Sequence, residues 1–226
     1  MAAKIGGRGG RLSGVKIHLG CGHVLPEGWV NVDASWSARL TQWHAAGLLR
    51  RLGVPITVWP RGADIVHDVR RPLPFRDCSA EAIYAAHLLE HLHFEDAQRL
   101  LADCYRVLIG GGILRVVVPD LALIIERYRV DHDATRVNVD LAMHDKRQPP
   151  LLRRLYHAAT QYHDHKWVYD APLLLECFRR AGFRQPVERV LYDSDIPDIR
   201  VVEQREGLCV EARRERQCTN FTMIAP

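Results

Sequence analysis

The chain predicts an α/β fold, a parallel sheet with helices on both faces. Three observations carry this. Strand-like and helix-like segments alternate along most of its length. The run from Ile113 to Val118 is nearly all apolar, as suits a central parallel strand buried on both faces. Finally, Lys16-Ile17-His18-Leu19-Gly20-Cys21-Gly22, followed at 30–33 by Val-Asn-Val-Asp, reads as a strand, a glycine turn and a second strand ending in a carboxylate.

Taken in order, residues 1–14 form a flexible basic tail. They hold five glycines with Lys4, Arg8 and Arg11, and no acid precedes Glu27. Their Gly-Gly-Arg-Gly-Gly-Arg run is one copy of a pattern found in RNA-binding segments, and a disordered leader is the plainer reading. A single domain is expected over 15–226. After Asp33, apolar residues recur at helical spacing from Ala38 to Leu52, and Gly53 with Pro55 ends them. Ala63 to Val69 reads as a short strand closing on Asp68, with Pro72 and Pro74 stiffening the loop behind it. Ala82 to Ala86 is the next strand.

Helix is expected from Leu88 onward, amphipathic over Ala97 to Leu108 and broken by Gly110-Gly111-Gly112. Pro119-Asp120 stops the apolar strand, and Leu121 to Tyr128 reads as helix. Residues 131–170 are charged, rich in histidine and interrupted at Pro149-Pro150, so they are read as a helical insertion covering the site. Asp170 is a candidate N-cap with Pro172 in the first turn of a helix over Leu173 to Ala181, which Gly182 closes. Strands near Val187–Tyr192 and Leu208–Ala212 complete the pattern.

The bulk numbers suit one soluble domain. The chain has 226 residues, 47% hydrophobic and 26% charged, with a net charge of +4 that permits an anionic partner without demanding one. No apolar run is long enough to span a membrane and no signal core opens the chain, so a cytoplasmic protein is expected. The six cysteines form no Cys-x-x-Cys pair and read as reduced thiols. Cys21 is read as a small residue filling its turn.

The glycine pair poses the question of its ligand. A dinucleotide fingerprint needs a third glycine opening a helix and an acid about 20 residues on. Here Leu25 takes the glycine's place and Asp33 comes too early. No phosphate loop of the Gly-x-x-x-x-Gly-Lys-Ser/Thr kind is present. Such a turn suits a nucleoside ligand without a pyrophosphate, and S-adenosyl-L-methionine is one. Gly20 to Gly22, Asp33, Asp68 and His87 all fall at predicted strand carboxyl ends, where open α/β sheets bind ligands.

Together these residues resemble the class I S-adenosylmethionine-dependent methyltransferases, and most of all the small bacterial predicted methyltransferases related to the UbiE-like enzymes. The resemblance runs from about Val15 to Ala212. It rests on Leu-Gly-Cys-Gly (19–22), Gly-Trp-Val-Asn-Val-Asp (28–33), Ala-Asp-Ile-Val-His-Asp-Val with Pro-Leu-Pro-Phe (63–75), and His-Leu-Leu-Glu-His-Leu (87–92). Arg-Val-Leu-Ile-Gly-Gly-Gly-Ile-Leu (106–114), Val-Pro-Asp-Leu (118–121), His-Lys-Trp-Val-Tyr-Asp (165–170) and Ala-Gly-Phe (181–183) extend it. It implies a Rossmann-like seven-stranded, mostly parallel sheet of order 3-2-1-4-5-7-6, with strand 7 antiparallel. It implies cofactor contacts at Leu19, Gly20, Cys21 and Gly22, ribose binding at Asp33, and adenine reading by Asp68 and the backbone of Val69. His87 would face the methyl donor. One departure is visible: only residues 22–29 separate strand 1 from strand 2, so the usual first helix is shortened to a turn or one helical turn.

Methyl transfer needs a base only where the acceptor must lose a proton. The candidates are His87, then His91, then His163 and His165 of the insertion; for the last three of these, surface or capping roles are the plainer alternative. His87-Leu88-Leu89-Glu90-His91 also fits the zinc pattern His-x-x-Glu-His, but the sequence indicates no third ligand, so no resident metal is expected. Asp164, Lys166 and Trp167 either line an acceptor pocket or fix the start of the last helix. Lys146, Arg147, Arg153 and Arg154 form a basic cluster, ordinarily a solvated face. The expected acceptor is a small molecule or saccharide, the latter on the strength of the resemblance. A non-catalytic cofactor-binding protein and a nucleic-acid methyltransferase are the alternatives. Against the latter, His87-Leu88-Leu89 stands where an Asn/Asp-Pro-Pro-aromatic motif belongs.

Overall fold

The computed structural model describes residues 14–35, 38–39, 62–141, 143 and 165–216. The tail (1–13), nearly all of the helix expected over 38–52, and the stretch 144–164 with His163, Asp164 and the basic cluster lie outside these residues. Seven strands form one sheet: β1 (Val15–Leu19), β2 (Trp29–Asp33), β3 (Ile65–Val66), β4 (Ala80–Ala86), β5 (Leu108–Val118), β6 (Val187–Arg189) and β7 (Leu208–Arg213). Their order is β3-β2-β1-β4-β5-β7-β6. Strands β1 to β5 pair in parallel, and β7 runs antiparallel to both β5 and β6. The predicted topology is the observed one.

The two faces of the sheet are covered differently. On one, Ile17, Leu19, Ile83, Ala85, Leu114 and Val116 alternate along β1, β4 and β5 and pack under α1 (Phe94–Val107) and α4 (Ala171–Arg180). Helix α1 buries Ala97, Leu100, Leu101, Cys104 and Val107, the spacing that keeps one helical face inward. Helix α4 starts as its sequence predicts. The Asp170 carboxylate accepts from Leu173 N at 2.9 Å, Pro172 lies in the first turn, and Gly182 follows with φ +107°. Helices α2 (Leu121–Asp131) and α3 (Ala134–Asp140) lie beyond β5.

The other face carries Trp29, Ala82, Tyr84, Ile113 and Val117, and its cover is the segment with Ile196, Ile199 and Val202, which includes the short helix α5 (Ile199–Val202). That segment is tied down by charge. Arg115, fully buried on β5, donates from Nε and Nη2 to Glu203 (2.7 and 2.9 Å) and from Nη1 to Glu211 Oε2 (3.1 Å). It also donates to the carbonyls of Asp193 (2.7 Å) and Val190 (3.0 Å), so its whole fork is used. Lys16 and Trp29 Nε1 both reach Asp198 in the same segment.

Several elements depart from expectation. Residues 20–28, by contrast, are turns, one of the two forms expected of the shortened link. Strand β3 is two residues long, because the chain leaves the sheet at His67 and closes a turn from Arg71 N to Asp68 O. Residues 89–91 form one 3-10 turn, Leu92 and His93 are extended, and α1 begins only at Phe94. The three glycines do not break α1 from β5: they lie inside β5. Ala80 pairs with Leu108 but Ala82 with Ile113, so β5 must absorb extra residues as a bulge, and Gly111 (φ +87°) permits it. Strand β6 stops at Arg189, where Asp193 N turns back to Val190 O. Among the described residues, no helix is long and apolar enough to cross a membrane.

Two stability predictions follow from these buried polar groups. Arg115→Met leaves the Glu203 and Glu211 carboxylates buried without their cation and should cost about 3–5 kcal/mol, read by urea unfolding at neutral pH. His18 sits in β1 against Tyr84, and burial pulls its imidazole pKa down from 6.5 to about 4, against hydrogen bonding with Asn31 and the Val24 backbone, which raises it. The unfolded chain therefore takes up this proton at higher pH than the fold does. Stability of about 3 kcal/mol should be present above pH 6.5 and lost as the pH falls toward 4. His18→Asn should flatten that part of the stability–pH curve; an equally steep curve in the variant would refute the assignment.

Candidate functional site

The chain order reverses at β1: β2 and β3 lie on one side, β4 and β5 on the other. Open α/β sheets bind ligands at such a switch point, at the strand carboxyl ends. Leu19 ends β1 and is fully buried. The turn after it folds back onto β2, with Gly20 N and Cys21 N both donating to Val32 O (2.9 and 3.2 Å). Gly20 and Gly22 take φ of +65° and +53°, the left-handed region that favours glycine. Gly22 N donates to Asp33 Oδ2 at 3.0 Å, and Ser35 N to Asp33 Oδ1 at 2.7 Å. The predicted turn and acid are therefore in direct contact. Cys21 is buried, and burial, with the Asp33 and Asp64 charges behind it, pushes its thiol pKa far up, so it is an inert filler of the turn. Asp64, which the sequence reading did not single out, holds this edge from below: its Oδ2 accepts from Asn31 N and Asn31 Nδ2, both at 2.8 Å.

Asp68 follows β3, with its carboxylate held by Arg70 Nε and Nη2 at 2.7–3.2 Å. The side chain of Val69 is buried in the core beneath. His87 follows β4, again with positive φ (+50°), its N bonded to Val117 O at 2.9 Å. Its Nδ1 lies 3.2 Å from Glu90 Oε1, and its Nε2 3.3 Å from Glu206 O. The Nε2 bond to a carbonyl holds the ring from one side, and Nδ1 meets the Glu90 carboxylate as a close contact outside hydrogen-bond geometry. A Cβ placed on Gly20 would meet Leu88 Cδ1 at 3.1 Å, so the glycine turn packs directly against the loop that begins at His87.

Beyond His87 the structure builds a cluster that the sequence only half shows. Lys166 N and Trp167 N donate to Glu90 O at 2.7 and 3.2 Å, and Leu121 N donates to Tyr169 O at 3.0 Å. The 165–170 segment is thereby strapped across the site, and Trp167 stacks on Phe94 at 5.0 Å. The strap delivers His165, whose Nε2 lies 4.0 Å from Glu90 Oε1 and whose ring meets that of His91 edge-on at 4.9 Å. Glu90 is buried, and the Tyr169 phenol beside it is driven to higher pKa, by burial first and by the charges of Cys177 and Glu90 after it.

Residues 48–116 match the family model described as a methyltransferase domain, a stretch that begins after the glycine turn and runs through the His87 loop, α1 and most of β5. No curated protein matches the chain in sequence. Among solved structures, it is similar to a SAM-dependent methyltransferase, possible histamine N-methyltransferase, of Thermotoga maritima (17% identity, 90% of this chain and 83% of that one, TM-score 0.45). It is also similar to a SAM-dependent methyltransferase of Methanosarcina mazei (14%, 92% and 95%, 0.49) and to a possible exported protein of Bordetella parapertussis (16%, 90% and 62%, 0.48). The matched stretch is similar to a methyltransferase domain, and the strand order is that of a Rossmann-like fold. The class I S-adenosylmethionine-dependent methyltransferases, which the sequence resembles, take their methyl group from S-adenosylmethionine.

The residues present fit that donor. Among the described residues, a Cβ on Gly22 would meet no atom within 4 Å, so none of them covers that side of the turn. Each oxygen of Asp33 accepts one backbone N–H and can accept a second donor. Gly20→Ala combines a left-handed φ with contact at Leu88 and should lower stability by about 1–2 kcal/mol in thermal or urea unfolding.

Proposed function

We propose that the chain transfers the methyl group of S-adenosylmethionine to a small-molecule or glycan-like acceptor. The observation that carries this is the packing of the glycine turn, with Asp33 bonded to it, against the loop that leads into the histidine cluster. That contact joins a nucleoside-type half-site to a group of polar side chains at one sheet edge. Within the class, the motif set fits best with the UbiE-like group, and the saccharide option rests on that resemblance.

When bound, the donor supplies a methyl group already activated by its sulfonium. In this reading Leu19 to Gly22 bring bare backbone up to the donor, and Asp33 accepts from two ribose hydroxyls. Asp68 and the Val69 backbone bracket the adenine at the end of β3. His87 and His91 serve the reacting end. His87, fixed between Glu90 and Glu206 O, sets the position of the loop facing the methyl group. The strap at 165–170 covers the same end and keeps water from it. Positioning of this kind can supply roughly 7–11 kcal/mol of the barrier reduction, so no further catalytic group is required for an acceptor that is already a nucleophile.

Calorimetry should show S-adenosylmethionine binding to the wild-type chain, and Asp33→Ala should weaken it roughly ten- to hundredfold through the lost charged hydrogen bonds. Undiminished affinity in the variant would move the ribose elsewhere. Formation of S-adenosylhomocysteine over a panel of hydroxylated small molecules and saccharides tests the acceptor class. A donor-binding protein that turns over none of them would point to the non-catalytic alternative.

A further inference from the structure

We infer that Glu90, His91 and His165 form a binding site for one divalent transition-metal ion, which holds the acceptor by a hydroxyl oxygen. The inference rests on the methyl-transfer reading for the acceptor, but the metal site stands on its own geometry. One ligand atom from each of the three residues lies within 4.8 Å of the others. Around a single ion at roughly 2.0–2.2 Å from each ligand, such atoms lie about 3–4 Å apart, so small side-chain rotations close the set.

The independent sign is Glu90 itself. Its carboxylate is 1% exposed, and neither oxygen has a hydrogen-bond partner among the described residues. Oε1 has His87 Nδ1 at 3.2 Å and His165 Nε2 at 4.0 Å instead. A carboxylate removed from water without hydrogen bonds is costly, and coordination to a cation is a standard relief. The strap meanwhile bonds to the backbone carbonyl of Glu90, so it does not need this side chain.

The donor set decides the class of ion. One carboxylate with two imidazoles suits zinc, manganese or iron and disfavours magnesium and calcium, which take oxygen ligands. Three protein ligands leave a coordination position open, as catalytic sites require. His87, 3.2 Å from the ligating carboxylate, would act as a positioning residue that orients Glu90.

The chemistry balances. A hydroxyl bound to the ion is a stronger acid than in water, so its proton passes to solvent. The oxygen then forms the new bond to the methyl carbon, the carbon–sulfur bond of the donor breaks, and its electron pair stays on sulfur as a neutral thioether. The acceptor class is therefore an alcohol, and one with a neighbouring oxygen could chelate.

The test uses the full chain after chelator treatment, titrated with Mn2+ followed by electron paramagnetic resonance and with Zn2+ by calorimetry. One equivalent should bind, and Glu90→Gln and His165→Ala should each weaken it by at least about tenfold while keeping wild-type thermal unfolding. No binding of either ion by folded protein overturns the site, and so does binding that both variants leave unchanged. S-adenosylmethionine affinity, measured on the metal-free chain, separates the two ideas. Donor binding without metal binding sinks only the site, and metal binding without donor binding sinks only the methyl-transfer reading.

Discussion

The structure depends on how little chain joins β1 to β2. Parallel neighbours cannot be linked by a hairpin, and the usual solution is a crossover helix that also covers one face of the sheet. Here residues 20–28 must make that return, and they do so as turns. The face beside them still has to be kept from water. The segment between β6 and β7 does this with Ile196, Ile199 and Val202. Such a short, largely irregular cover buries little apolar area, so its anchoring relies on polar groups. Arg115 is the anchor, reaching the Glu203 carboxylate and the Asp193 and Val190 carbonyls of that segment as well as Glu211 on β7.

The same shortness shapes the site. With no helix opening after the glycines, the turn cannot present a helix N-terminus to a ligand, which is the feature that suits a pyrophosphate. It offers bare backbone and a carboxylate, arrangements that suit ribose hydroxyls and a cationic sulfur. The turn is rigid because β2 holds it: Val32 O takes two of its amides and Asp33 a third. The glycine turn between β1 and β2 is then set against the loop after β4 through Gly20 and Leu88, where a Cβ would crowd the leucine and strain the backbone. Close packing at one residue thus links the glycine turn to the histidine cluster.

What the sequence disclosed and what it hid divide along physical lines. Strand order, the Asp170 cap and the Gly182 stop were legible because they follow from local pattern and from the resemblance. The sequence placed Gly22 and Asp33 at neighbouring strand ends, but the hydrogen bond between them is seen only in the structure. The place of Gly110 to Gly112 was misread because three glycines ordinarily punctuate, and only the register of Ala80 and Ala82 on β4 shows that they fill a bulge inside β5. Arg115 lay in plain view as the one charge in Leu114-Arg115-Val116, and a charge in a run predicted to be buried on both faces requires buried partners. Those partners, Glu203 and Glu211, are far along the chain, so no spacing rule could name them. His165 was hidden for the same reason: its nearness to Glu90 and His91 is made by hydrogen bonds of the strap, not by sequence distance.

Glu90 shows why a side chain, and not the fold, has to be explained at this site. The strap bonds to the Glu90 carbonyl, which any residue would supply. The 3-10 turn over Leu89–His91 is set by Leu89 burial and by the bond from Leu92 N to Leu89 O, neither of which needs an acid. A leucine or methionine would fill the same volume without stranding a charge away from water. The three histidines gathered around this carboxylate come from two separate segments, and holding imidazoles there forgoes apolar contact that the core could otherwise use. Stability favours none of these choices. The group makes physical sense as a site whose charge is completed by what binds there, as the proposed metal site would have it.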